Sequence, residues 1–332
     1  MTAPHNPTTT PHHTHERLPS RLVSVTVQAS AKINLYLRVG PLRSDGYHDL
    51  ATVFHAVSLH DEITVEESEH LSLEICGEQA EKVPLDGDNL AVRAAMLLAR
   101  RLGREPGVRI VLRKGIPVAG GMAGGSADAA ATLIACAALW HAELPHDELM
   151  TLAAQLGSDV PFCVVGGTAL GHGRGERLAP VLAAGPWYWV LALADGGLST
   201  PQVYAEFDRR RASGDGELRE PGDGEPLDVP AALLSALRDG DPKRLGSLLH
   251  NDLQDAAVAL RPALGRVLEA GLDGGALGGI VCGSGPTCAF LVSDQDAAVD
   301  LAARLAGSGW VRAVRCATGP AAGARILART AG

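Results

Sequence analysis

The stretch Pro117–Ala131, PVAGGMAGGSADAAA, decides how this 332-residue chain is read. Gly120, Gly121, Gly124 and Gly125 let backbone N–H groups converge on an anion, because no Cβ blocks the approach. The Ala-rich run after Ser126 favours helix, which sets the positive end of a helix dipole beside the glycines. Pro117, Val118, Ala119, Gly120, Gly121, Met122, Ala123, Gly124, Gly125, Ser126 and Ala127 are therefore candidate phosphate-binding positions. Ser126 offers a hydroxyl to a phosphate oxygen or to a phosphate-bound magnesium. The segment holds no G-x-x-x-x-G-K-[ST], and no acidic residue follows about twenty positions on in a clear βαβ unit, as a dinucleotide fold would need. A flexible Gly/Ala linker ahead of a helix is the plain alternative.

Around this loop, strands and helices are mixed. Val23, Val25 and Val27 alternate with polar residues and predict a half-buried strand, with a second over Ile33–Val39. Ala51–Leu59, Glu62–Glu67, Leu71–Ile75 and Val108–Leu112 read as further strands. Helical spacing covers Asp88–Leu102, the run from the loop to about Leu139, and part of Asp147–Leu156. Beyond Gly185-Pro186 the expectation is a strand at Trp187–Ala194, then helices at Ala231–Leu237, Leu245–Leu260 and Pro262–Ala270. Ile280–Val292 reads as strand, Gly-rich turn, strand; Ala297–Leu305 as helix; Val311–Ala317 as a closing strand. This order predicts an α+β fold of two domains, 21–185 and 186–332. Residues 1–20, polar and rich in Pro, Thr and His, are expected to be a disordered tail, with His12, His13 and His15 solvated rather than metal-bound. The charged, Gly- and Pro-rich Arg209–Pro226 reads as a mobile surface insertion.

Composition narrows the class. With 46% hydrophobic residues the chain can bury a sizeable core. A formal charge of −9 argues against a broad nucleic-acid surface but not against one phosphate pocket. Six cysteines without a C-x-x-C pair suit a reducing cytoplasm better than a disulfide framework or a zinc site. No apolar run is long enough to span a bilayer and no signal peptide is evident, so secreted, membrane and fibrous classes are set aside.

Two charges stand in apolar surroundings: Lys32 in Ala31–Leu35, AKINL, and Asp159 in Gly157–Phe162, GSDVPF. Partly buried charges need partners, and such a pair suits phosphoryl transfer. The carboxylate would take the proton of an attacking hydroxyl, and the ammonium would offset charge on the moving phosphoryl. Taken alone, a lysine snorkelling from a strand and an aspartate capping a turn explain the two residues more simply. Gly283–Thr287, GSGPT, taken alone is a hairpin turn, and Tyr47-His48 an ordinary loop pair.

Together these segments resemble the GHMP kinases: Lys32 on an early strand, the GGMAGGSADAA helix start, and the late GSGPT turn, in matching order across about residues 25–320. Within that superfamily AKINL, Asp45–His48 (DGYH) and GSDVPF resemble the branch acting on 4-diphosphocytidyl-2-C-methyl-D-erythritol. The resemblance implies a two-domain GHMP kinase fold, an N-terminal ribosomal protein S5 domain 2-like part and a C-terminal ferredoxin-like part, with the site between them. It implies ATP and Mg²⁺, and phosphorylation of the substrate 2-hydroxyl on the non-mevalonate route to isoprenoid precursors. Asp159 matches the catalytic base and Lys32 its partner. Asn34, two positions on, shares the strand face of Lys32. Tyr47 and His48 match residues that hold the cytosine, Thr200 and Pro201 a substrate-lining segment, and Tyr204 the second aromatic around the base. Metal ligands are not assigned, since no carboxylate matches the one that some superfamily members use. A cytoplasmic enzyme is expected, a monomer or weak homodimer acting on a small molecule, with no nucleic-acid or membrane partner. The alternatives are a homoserine- or mevalonate-type GHMP kinase, and a silent nucleotide sensor on this fold.

Overall fold

The structure, a computed structural model, describes residues 22–214 and 227–331. The expected tail at 1–20 and most of the expected insertion lie outside the described residues. Where Arg209–Pro226 is described, 209–213 continue a helix rather than opening a loop.

The chain begins with two long antiparallel strands, β1 (Leu22–Leu42) and β2 (His48–Glu67), each read from the sequence as two shorter ones. Ser30 pairs His60 while Ala31 pairs Val57, so a bulge of two residues on β2 bends the ribbon without ending it. Polar residues at that bend break the apolar pattern, which is why sequence periodicity splits the strands. β3 (Ser72–Gly77), α1 (Leu90–Arg101) and β4 (Val108–Lys114) follow. Asn89 caps α1 by accepting from Ala91 N at 2.9 Å, a contact of about 1 kcal/mol. The loop then opens α2 (Gly124–Leu139), followed by α3 (His146–Leu156), α4 (Val160–Val165), β5 (Thr168–Gly173) and β6 (Arg177–Pro180). Helix α4 and strands β5 and β6 are additions to the sequence reading; Pro161 sits in the first turn of α4, where a missing N–H costs nothing.

Strand β7 (Trp187–Leu193) starts a second sheet, and α5 (Thr200–Ser213) and α6 (Ala231–Asp239) come next. The single helix expected over Leu245–Leu260 is three pieces: α7 (Pro242–Gly246), β8 (His250–Asn251) and α8 (Gln254–Leu260). Asn251 breaks the run by donating to the carbonyls of Val281 and Gly283, both at 2.8 Å, bonds a continuous helix could not make. The chain continues through α9 (Ala263–Asp273), β9 (Gly278–Val281), β10 (Cys288–Val292), α10 (Gln295–Gly307) and β11 (Ala313–Gly319). The second sheet runs β11-β7-β10-β9, antiparallel throughout. In chain order that is fourth, first, third, second, the βαββαβ order of a ferredoxin-like unit. β11 does not close the chain as expected: β12 (Arg325–Ala331) returns to pair antiparallel with β1.

One core links these layers. Val25, Val27, Ala29, Ala31, Ile33 and Leu35 are fully buried on one face of β1, against the Ala-rich α2. Each fully buried Val, Ile or Leu contributes about 1.5–3 kcal/mol. Lys32 and Asn34, on the opposite face, are also buried, which points both polar groups into the space between the halves.

Candidate active site

That space is a cleft of about 790 Å³, lined from both halves. Its floor is the Gly-rich loop, Pro117 through Gly125. Ala119, Gly121 and Ala123 have φ of 54°, 77° and 59°, and α2 starts with no side chain capping its first N–H groups. Alternating left-handed residues followed by an uncapped helix start leave backbone N–H groups for an anion. At Gly121 a Cβ would lie 2.1 Å from the Cys282 carbonyl oxygen, so only glycine fits. The loop is thereby pressed against Gly283–Thr287, whose Thr287 N–H reaches Gly120 O at 3.4 Å. The second Gly-rich turn thus buttresses the first. Met122 is buried beneath the loop, and its carbonyl accepts from Lys32 N at 3.2 Å. Ser126 and Ala127, both named from the sequence, lie off the cleft wall; Ala127 is fully buried in the core. Ser126 is half-buried in the first turn of α2, next to Gly125 of the cleft floor.

Lys32 stands over this loop. Its Nζ donates to Asn34 Oδ1 at 2.8 Å and lies 3.6 Å from Asp159 Oδ2. Asn34 in turn donates to Thr52 Oγ1, and Thr52 to the Tyr36 carbonyl, so the amide is fixed with its oxygen toward the lysine. Asp159 occupies the N-cap position of α4 yet makes no capping bond with its side chain, which is 30% exposed toward the cleft. The turn-capping explanation of this residue is thus removed. Thr200, Pro201 and Tyr204 reach the cleft from the start of α5, with the Thr200 hydroxyl 2.9 Å from Ser284 Oγ. Across from them, Tyr47 is 52% exposed with the Arg174 guanidinium 5.0 Å from its ring centre. His48 donates from Nδ1 to Gly40 O at 2.9 Å, packs its ring 5.1 Å from Tyr204, and has Nε2 3.3 Å from Asp208.

Sequence reasoning missed a buried triad below the loop. Lys114 Nζ contacts Asp61, and donates to Asp128 Oδ2 at 2.8 Å; all three residues are at most 5% exposed. Asp61 Oδ1 also accepts from Gly115 N and Ile116 N. Burial, and then the Asp61 charge, push the Asp128 carboxyl well above the usual aspartate range. Burial works against the Lys114 charge, but Asp128 and Asp61 outweigh it and raise its pKa. Asp128 stood inside the quoted loop segment, but nothing nearby in sequence marks its partner Asp61.

Comparison with known proteins agrees with this geometry. The model of the GHMP kinase N-terminal domain matches residues 89–167, and that of the C-terminal domain matches 233–310. A 4-diphosphocytidyl-2-C-methyl-D-erythritol kinase of Mycobacterium tuberculosis is 56% identical over 304 residues, 92% of this chain and 93% of the relative. The chain belongs to that kinase family. A relative of the same name from Nocardia farcinica is 57% identical, covering 91% of this chain and 96% of its own. A crystal structure of a 4-(cytidine 5'-diphospho)-2C-methyl-D-erythritol kinase superimposes with a TM-score of 0.71 at 35% identity, over 88% of this chain and 98% of that one. Membership of this GHMP kinase family makes ATP the phosphoryl donor. Among the described residues, no helix is long and apolar enough to cross a membrane.

Proposed function

We propose that this cleft performs the phosphoryl transfer of its family with Asp159 as base and Lys32 as its electrostatic partner. The reaction passes the γ-phosphoryl of ATP to the 2-hydroxyl of 4-diphosphocytidyl-2-C-methyl-D-erythritol, giving the 2-phosphate and ADP on the methylerythritol phosphate route to isoprenoid precursors. The observation that carries the assignment is the Lys32–Asp159 pair, facing the cleft beside the Gly-rich loop. The 2-hydroxyl oxygen forms the new P–O bond, the bond to the ADP oxygen breaks, and the hydroxyl proton passes to Asp159. Lys32, held by Asn34, lowers the energy of the charge that gathers on the phosphoryl oxygens. Loop N–H groups hold the ATP phosphates. Tyr47 and Tyr204 offer faces to the cytosine, with His48 at its edge, and Thr200 and Pro201 line the path between base and hydroxyl.

Mg²⁺ is proposed to accompany ATP. Asp128 fits it: Oδ1 is buried on the cleft wall without a hydrogen-bond partner, and the carboxylate lies in a pocket short of positive charge. When bound, the ion would offset phosphate charge. The reading further places the enzyme in the cytoplasm as a monomer or weak homodimer without nucleic-acid or membrane partners; all six cysteines are free thiols.

The test offers 4-diphosphocytidyl-2-C-methyl-D-erythritol, homoserine and mevalonate separately with ATP, followed by ³¹P NMR, with Asp159→Asn as the blank. A phosphomonoester on the cytidyl compound alone, with turnover down about 10³-fold in the variant, is expected. Unchanged turnover in Asp159→Asn would remove that residue from the mechanism.

A further inference from the structure

We propose that Asp208 selects cytosine over uracil by accepting a hydrogen bond from the 4-amino group of the base. The inference rests on the reading of Tyr47 and Tyr204 as the aromatic pair that holds the base. Asp208 lies one helical turn beyond Tyr204 on α5, so the two side chains leave the same helix face. Both line the cleft, and the Asp208 side chain is 35% exposed to it. The carboxylate stands at the rim of the aromatic site: Oδ2 lies 3.3 Å from His48 Nε2, and the His48 ring is pinned from its far side by the Gly40 carbonyl. His48 packs against the Tyr204 ring, which brings Asp208 beside that ring.

The chemistry of that rim decides between pyrimidines. A carboxylate only accepts hydrogen bonds, and the cytosine 4-amino group only donates them. Uracil carries an oxygen at the same position, which would meet the carboxylate lone pair to lone pair. Arg174, also at this end of the cleft, offers only donors and cannot take the amino group. The neighbouring Glu206 is occupied by a two-pronged contact with Arg209, both bonds at 2.8 Å. Asp208 is thus an acceptor positioned for the group that distinguishes cytidine from uridine.

The experiment measures inhibition of the kinase reaction by CDP and by UDP, in the wild type and in Asp208→Asn, with kcat and KM for the substrate alongside. The wild type is expected to favour CDP by about ten- to a hundredfold. Asparagine can turn its amide to donate to the uracil oxygen, so the preference should shrink about tenfold or more, with KM raised and kcat held within about threefold. The preference is a ratio within one protein, so a general loss of stability does not move it. A wild-type preference that survives in Asp208→Asn overturns the role of Asp208 and leaves the cytidine site standing. Equal inhibition of the wild type by CDP and UDP overturns both.

Discussion

Lys32 and Lys114 are each 5% exposed and line the same cleft, yet their charges are met in opposite ways. Lys114 is over-matched, with two buried carboxylates on one ammonium. Lys32 has a neutral amide oxygen at 2.8 Å and a single, half-open carboxylate at 3.6 Å. A cation enclosed by close anions has spent its field on the fold. One left loosely paired at the edge of a cavity can still act on charge that arrives there.

The contrast can be broken by exchanging each lysine for methionine. Lys114→Met leaves Asp61 and Asp128 buried together without a cation, and should cost about 3–5 kcal/mol of stability in urea unfolding. A loss no greater than at an ordinary surface site would mean that the triad does not hold the loop. Lys32→Met should behave the other way round. Asp159 can take up water once its partner is gone, so the unfolding midpoint should move little while kcat falls about 10²-fold. Equal destabilisation by both substitutions would erase the distinction.

A third ionic link, open to solvent, sharpens it. Glu78 accepts from Arg312 at 2.5 Å and Arg315 at 2.9 Å, tying the segment after β3 to the second sheet. The hydrogen bond from Arg312 holds the Glu78 carboxyl below the usual glutamate range, against a weaker opposing effect of burial. A depressed carboxylate lends stability above its unfolded pKa and loses it as pH falls through the folded one. Glu78→Gln should therefore cost about 0.5–1 kcal/mol at pH 7, and variant and wild type should converge as pH falls through the lowered Glu78 pKa, as read by thermal unfolding across pH.

How much could be read from the sequence depends on how far apart the partners lie. The loop was legible because glycine permissiveness and alanine helix propensity act over neighbouring residues. Lys32 and Asn34 were legible as a pair because a strand repeats every two residues. Lys114 and Asp61 are 53 positions apart and meet through the pairing of β2 with β4, so no local pattern marks them. Asp128 was read as one more residue of an alanine helix. Asp208 fell just short of the segment taken for an insertion, and its relation to His48 needs the fold. Leu245–Leu260 kept helical spacing, but the bonds from Asn251 to Val281 and Gly283 overrode it. In each miss a tertiary contact outweighed a local preference.

The return of β12 to β1 also bears on how the two halves are tied together. The polypeptide passes between the halves twice, at 181–186 and at 320–324. The second passage is stitched down where Ala321 N reaches the Ala56 carbonyl and Gly167 N reaches that of Ala321, 2.9 and 2.8 Å away. Together with the pairing of β8 with β1, the two passages tether the second sheet to the first, and with it the Gly283–Thr287 turn against the phosphate loop.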